Sequence, residues 1–219
     1  MRAMLSLEGY RYKSHPIDLG FLNIKSPQNT LKILRMMIFD GERWRIPRVL
    51  HWIWPAIEFG ITKEEYDFCY VTVRHGVVDY ITDDKWHVDG FSMRTSHIPE
   101  TNYIWTDHSS TEWLDQKFEF PYSFDPLKHN IHWYIQDHAD DHAIKQMKPR
   151  HIYRITPYTP HRRPPNTSRT WRTFIRVSFT PIEIKDDTCT RNPLFEPRVY
   201  NSVDFRDSLE RWVDGAEHG

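Results

Sequence analysis

The stretch Lys85-Trp86-His87-Val88-Asp89-Gly90-Phe91 places an imidazole and a carboxylate two residues apart. On an extended strand alternate side chains point to the same face, so both groups can reach one ion. With a second, distant histidine the pair makes a 2-His-1-carboxylate face, which suits ferrous iron and leaves coordination positions open. The pair alone is a weak sign. A chain with 13 His and 30 acidic residues offers many such spacings by chance, and a polar strand edge would look the same. The weight falls on whether the chain supplies the second histidine.

Seventy-two residues after Asp89 stands His161, within Tyr158-Thr159-Pro160-His161-Arg162-Arg163-Pro164-Pro165-Asn166, and Arg172-Thr173-Phe174-Ile175-Arg176-Val177-Ser178-Phe179 comes next. On these segments the chain resembles the Fe(II)/2-oxoglutarate-dependent dioxygenases, whose pattern is His-x-Asp, a distal His and then an Arg on the next strand. The resemblance implies a ferrous ion held by His87, Asp89 and His161, with 2-oxoglutarate and O2 as co-substrates. It implies a double-stranded β-helix, a cupin-like jelly roll, over residues 67–184. In that family the Arg, often written Arg-x-Ser, binds the far carboxylate of 2-oxoglutarate. Arg176-Val177-Ser178, fifteen residues after His161, fits that spelling, with the Ser178 hydroxyl on the same strand face. Arg172, eleven residues after His161, is also within the family's range and is the rival. A guanidinium suits the task because its planar fork matches a carboxylate at two points. His151 is the rival distal ligand; His161 is preferred because only it has an Arg-x-Ser partner at the family's spacing. Halogenating relatives carry a small residue in place of Asp89, so its presence implies hydroxylation or desaturation rather than halogenation.

A chain of 219 residues suits one domain. Its nearly balanced charge, net −1, argues against a nucleic-acid partner gripped through phosphates. Aromatic residues make up 15% of the chain against only eight glycines, a composition that can wall a cavity but more often fills a core. The N-terminus lacks the apolar run of a signal peptide, and no stretch reaches the roughly 18 apolar residues of a membrane span. A cytoplasmic protein is therefore expected. Cys69 and Cys189, with no Cys-x-x-Cys, read as bystander thiols in a reducing compartment.

The elements that must position these groups read as three regions. Residues 1–66 read as helical: Ser26-Pro27 resembles a helix start, Leu31, Leu34 and Ile38 recur at helical spacing, and Gly41 offers a stop. Pro47 to Gly60 carries Val49, Leu50, Trp52, Ile53 and Trp54, with Pro55 as a kink or stop, and Thr62-Lys63-Glu64-Glu65 has capping-box spacing. Residues 67–184 read as β-structure. Tyr70–Arg74 and Val77–Ile81 alternate as strands about a His75-Gly76 turn, and Asn102–Thr106, Ile131–Ile135, Ile152–Thr156 and Arg172–Phe179 are further strands, the last continued by Pro181–Ile184. Asp137 to Met147 reads as a short helix or a loop. Short strands without long intervening helices favour an antiparallel sandwich over a parallel sheet. Residues 185–219 form an extension whose Phe205, Leu209 and Trp212 predict an amphipathic helix.

The function expected is oxygenation of a small molecule. Arg45, in the basic aromatic run Arg43–Arg48, and Arg94, near the ligand strand, suggest an anionic substrate, although snorkelling arginines on a solvated loop are the plainer reading. A cupin-like metal-binding isomerase, or a binding protein without catalysis, is the alternative. Turnover separates them, since the oxygenase converts 2-oxoglutarate to succinate even slowly without substrate. Oligomeric state is not legible in the sequence.

Overall fold

The computed structural model describes residues 6–78, 85–90, 99–165, 169–185 and 187–195. Within them the architecture is mainly antiparallel β. Strands β1 (Ile17–Phe21), β2 (Leu31–Phe39), β3 (Phe68–Val78), β4 (Thr101–Thr106), β7 (His151–Ile155) and β9 (Thr170–Thr180) form a six-stranded sheet in the order β1-β7-β4-β9-β3-β2. Strands β5 (Glu112–Leu114), β6 (Ile144–Gln146) and β8 (His161–Arg162) form a small second sheet in the order β6-β5-β8. Two short helices, α1 (Trp54–Ile61) and α2 (Ile131–Asp137), and three 3-10 turns complete the described residues. No helix among them is long and apolar enough to cross a membrane.

Alternation along the central strands gives the large sheet two different faces. Val71 and Val73 of β3, Tyr103 and Trp105 of β4, and Ile175, Val177 and Phe179 of β9 join Leu50, Ile53, Ala56 and Ile57 in the main core, so the 3-10 turn Arg48–Ile53 and α1 cover that face. The intervening residues look the other way. Ile104, Tyr153 and Ile155 meet Met147, with Trp113 and Phe174 alongside, in a smaller apolar cluster. Nearby positions on the same parity are polar: Thr72, Asn102, Arg176 and Ser178. Eleven consecutive pairs join β3 to β9 without a break, which makes this pair a rigid base for that polar row.

Two stretches differ in kind from the sequence expectation. Residues 26–41, expected as a helix, contain β2. Leu31, Ile33, Met36 and Ile38 are its buried positions, and the pairing with β3 shifts register between Ile33 and Met36, where Arg35 takes φ 45°. An irregularity of this kind shifts parity along a strand, so buried residues recur at spacings that imitate a helix. Conversely Ile131–Ile135, expected as a strand, lies in α2. The Asn130 side chain caps it by accepting from the N–H groups of His132 and Trp133. Ile131 and Ile135, one turn apart, are buried while Trp133 is exposed.

Smaller corrections have the same physical origin. Pro55 sits in the first turn of α1, where its missing N–H costs nothing, rather than stopping a helix. Thr62 is the C-cap of α1 instead of the start of a new helix. His75-Gly76 lies inside β3, the imidazole of His75 bonded to the Thr173 hydroxyl and the Pro27 carbonyl. The region 1–66 is thus not helical overall, since it contributes two strands of the large sheet. β9 ends at Thr180, so Pro181–Ile184 does not extend it. Neither Cys69 nor Cys189 forms a disulfide. The amphipathic helix expected around Phe205, Leu209 and Trp212 and the residue Arg94 lie outside the described residues, as do residues 79–84.

Helix and sheet approach closely at Gly60, where an added Cβ would lie 2.0 Å from the Phe179 ring. Phe179 is itself buried in the main core. Gly60→Ala should therefore cost about 1–3 kcal/mol by overpacking, despite the better helix propensity of alanine. A lower urea midpoint with unchanged slope is expected. An unchanged midpoint would show that α1 can lift from the sheet freely.

Candidate metal centre

His87 and His161 come from segments far apart in sequence and meet as an isolated antiparallel bridge. Each N–H donates to the other's carbonyl, His87 to His161 at 3.0 Å and His161 to His87 at 2.9 Å. Directly opposed residues on such a pair project side by side, and the two rings stand 4.4 Å apart, centroid to centroid. Asp89, two residues beyond His87, completes the group. One ligand atom from each of His87, Asp89 and His161 lies within 4.8 Å of the others.

The hydrogen bonds behind the rings decide which nitrogens remain available. The Nδ1 of His87 contacts the Lys85 carbonyl at 3.1 Å, and the Nδ1 of His161 contacts the Thr159 carbonyl at 2.9 Å. A carbonyl only accepts, so each Nδ1 carries a proton, and in the neutral form of the ring it is Nε2 that presents the lone pair. This orientation by a backbone carbonyl is the usual preparation of a metal-binding histidine. Burial, reinforced by the neighbouring His87, pulls His161 down to about 4, and the opposing pull of Asp89 does not offset it. The ring is therefore neutral at neutral pH, as a ligand must be.

Asp89 is buried, and burial by itself would favour its protonated form. Arg176, His161, His87 and Arg35 outweigh that effect and hold the carboxyl far below its ordinary range. Arg176 donates to Oδ1 at 2.5 Å, and Asn102 donates through Nδ2 to Oδ2 at 2.9 Å. Oδ2 also faces the Nε2 of His161 at 3.6 Å. Ser178 acts at one remove: its hydroxyl donates to the Asn102 carbonyl oxygen and so turns the Asn102 amide nitrogen toward the carboxylate. Arg35 stands 4.0 Å from Oδ1 and pairs with the buried Glu100 at 3.0 Å.

The other sequence candidates fall elsewhere. The ring of His151 is bonded to Asp18 of β1 at 2.9 Å, outside the cluster. Arg172 is buried four residues from Arg176 on the same face, but its Nε reaches the carbonyls of His108 and Ser109 and, among the described residues, no carboxylate. Burial, and then the nearby Arg163, depress it to about 10. Arg45 donates to the Leu194 carbonyl and lies over the Phe195 ring, so it is committed away from the cluster. Asn102, Arg35 and Glu100 were missed by sequence reasoning. Asn102 was discoverable, as the polar residue whose strand parity opposes Tyr103 and Trp105; Arg35 was hidden by the helical reading of β2.

No family profile and no curated protein matches the chain. Among solved structures, the one titled "Crystal Structure of EvdO2 from Micromonospora carbonacea var. aurantiaca" is similar at 18% identity over 54% of each chain, with a TM-score of 0.36. The chain thus spans about half the length of that protein. A likeness this loose carries no argument, and the chemistry of the cluster itself must supply the functional reading.

The depressed His161 makes stability pH-dependent in a stated direction. Between pH 6.5 and about 4 the unfolded chain binds a proton at this ring that the native chain does not, so the metal-free protein should lose stability as pH falls through that window. His161→Asn should flatten the decline in denaturation midpoint over the same range. Parallel curves for the two proteins would contradict the assignment.

Proposed function

We propose that the chain is an Fe(II)- and 2-oxoglutarate-dependent oxygenase that acts on a small molecule, most simply by hydroxylation. The observation that carries this reading is the pair of Nδ1-anchored imidazoles converging with the ionised Asp89 carboxylate. Two neutral nitrogens and one carboxylate on one side of an ion form the donor set preferred by non-heme ferrous iron, with the remaining positions open. All three residues fit the group: His87 and His161 through Nε2, Asp89 through the oxygen facing His161. A ferrous ion bound there, with 2-oxoglutarate and O2, supplies oxidising power as 2-oxoglutarate is decarboxylated to succinate. The two sheets are compatible with the jelly-roll arrangement expected of such enzymes.

The rest of the chemistry belongs to the side chains. Arg176 and Asn102 keep Asp89 charged and oriented, so that its carboxylate is a fixed ligand. Arg176 thereby takes a role different from the one its Arg-x-Ser spelling suggests, with Ser178 acting through Asn102. The far carboxylate of 2-oxoglutarate is better matched to Arg172, which is buried, has no acidic hydrogen-bond partner among the described residues and lies in a field raised by Arg163. A buried guanidinium in this state gains most from a dianion, because the pair offsets its desolvation.

The test is succinate formation from 2-oxoglutarate by the iron-loaded protein. Arg172→Ala should raise the 2-oxoglutarate requirement roughly 30-fold or more, from the loss of about 2–5 kcal/mol of charge pairing, while iron binding survives. Arg176→Ala should instead weaken iron binding, since it frees Asp89. The reverse pattern would return 2-oxoglutarate to Arg176. Absence of succinate under any condition would remove the oxygenase reading in favour of a cupin-like metal protein of another activity.

A further inference from the structure

A cleft of about 370 Å³ runs from His87 to the exposed side of α2. Its polar lining is unusually biased toward donors. Asn130, which lines the cleft, uses its Oδ1 to accept the N–H groups of His132 and Trp133, which leaves its NH2 group as the donor. Gln136 uses Oε1 to accept the Trp86 N–H at 3.0 Å and likewise retains only its NH2 group. His132 accepts the Val88 N–H at Nδ1, which ties α2 to the ligand segment. Each orientation is imposed by a backbone N–H, which cannot accept, so neither amide can flip without losing a bond.

Lys85 adds an exposed ammonium to the same lining. Among the described residues, Asp137 is the one carboxylate there. Trp133, 70% exposed, offers a flat apolar face beside these donors. The backbone N–H of Trp86, in the ligand segment, thus fixes Gln136 as a donor, and the wall it forms with Asn130 and Lys85 adjoins His87.

We propose that this cleft anchors the substrate through an oxyanion, a carboxylate or a phosphate, carried by a small molecule whose apolar part lies against Trp133. The word substrate rests on the oxygenase reading; the binding of an oxyanion does not. The sequence also suggested an anionic ligand, but from Arg45, which is committed to Leu194 and Phe195, and from Arg94, which lies outside the described residues.

The test is ligand-observed NMR on the whole chain with matched aromatic and aliphatic probes: carboxylic acids, phosphate monoesters and the primary amides of the same acids. The acids or the phosphates should bind at least tenfold more tightly than the amides, and which of the two leads identifies the oxyanion. Gln136→Glu keeps the oxygen that accepts the Trp86 N–H and replaces the donor with an acceptor, so it should weaken anion binding about tenfold or more. Lys85→Met, on a surface segment, provides a second variant and should also weaken it. Amides that bind as well as acids, or anion affinity unchanged in both variants, would overturn the proposal. Substrate-independent succinate release, measured in parallel, reports on the oxygenase reading separately: its absence with anion binding intact would leave a binding site on a protein of another activity.

Discussion

A carboxylate buried away from water is costly unless its charge is matched, and Asp89 is the point on which this structure turns. Its match comes from three directions: Arg176 on β9, Asn102 on β4 and Arg35 on β2. Asn102 and Arg35 have supports of their own. Ser178 orients Asn102, Glu100 pairs with Arg35, and the Arg35 N–H donates to the Thr72 hydroxyl where β2 is irregular. The irregularity that obscured β2 in the sequence therefore also aims a guanidinium at the cluster. The same buried charge that these donors stabilise can serve a cation, because a carboxylate oxygen retains lone-pair capacity beyond the bonds it already accepts.

The large sheet separates two tasks by strand parity. Ile175, Val177 and Phe179 of β9 are bound into the core beneath α1, which gives rigidity, while Arg176 and Ser178, on the other parity, carry the polar row. Functional geometry is best held when the residues behind it are fixed by packing. His161 reaches the cluster from the small sheet and His87 from the segment bridged to it. The site thus lies where the two sheets meet, and the hydrogen-bonded bridge between the two histidines sets the spacing of their rings.

The group His87, Asp89 and His161 that the structure brings together was legible in the sequence because ligand chemistry is local. His87-x-Asp89 advertises two donors on one strand face, and His161 with the arginines after it supplies the third. What the sequence did not separate was which arginine does what. Arg172 and Arg176 share a face, and only the position of Asp89 shows that Arg176 is committed to a carboxylate while Arg172 reaches backbone carbonyls instead. The fold was legible where alternation was unbroken, as in β4, β7 and β9. It failed where register irregularities shifted parity in β2, and where five residues of α2 placed large apolar groups at both periods. The asparagine cap at Asn130 was the available sign of a helix there.

The central claim is that one ion binds to His87, Asp89 and His161, and X-ray absorption spectroscopy on the anaerobic, Fe(II)-loaded protein tests it most directly. One ferrous ion per chain is expected, with scattering from two imidazoles, the remaining ligands being oxygen and none sulfur. The signal should be lost in Asp89→Ala. A sulfur shell from Cys69 or Cys189, more than two imidazoles, or an unchanged spectrum in Asp89→Ala would contradict the account.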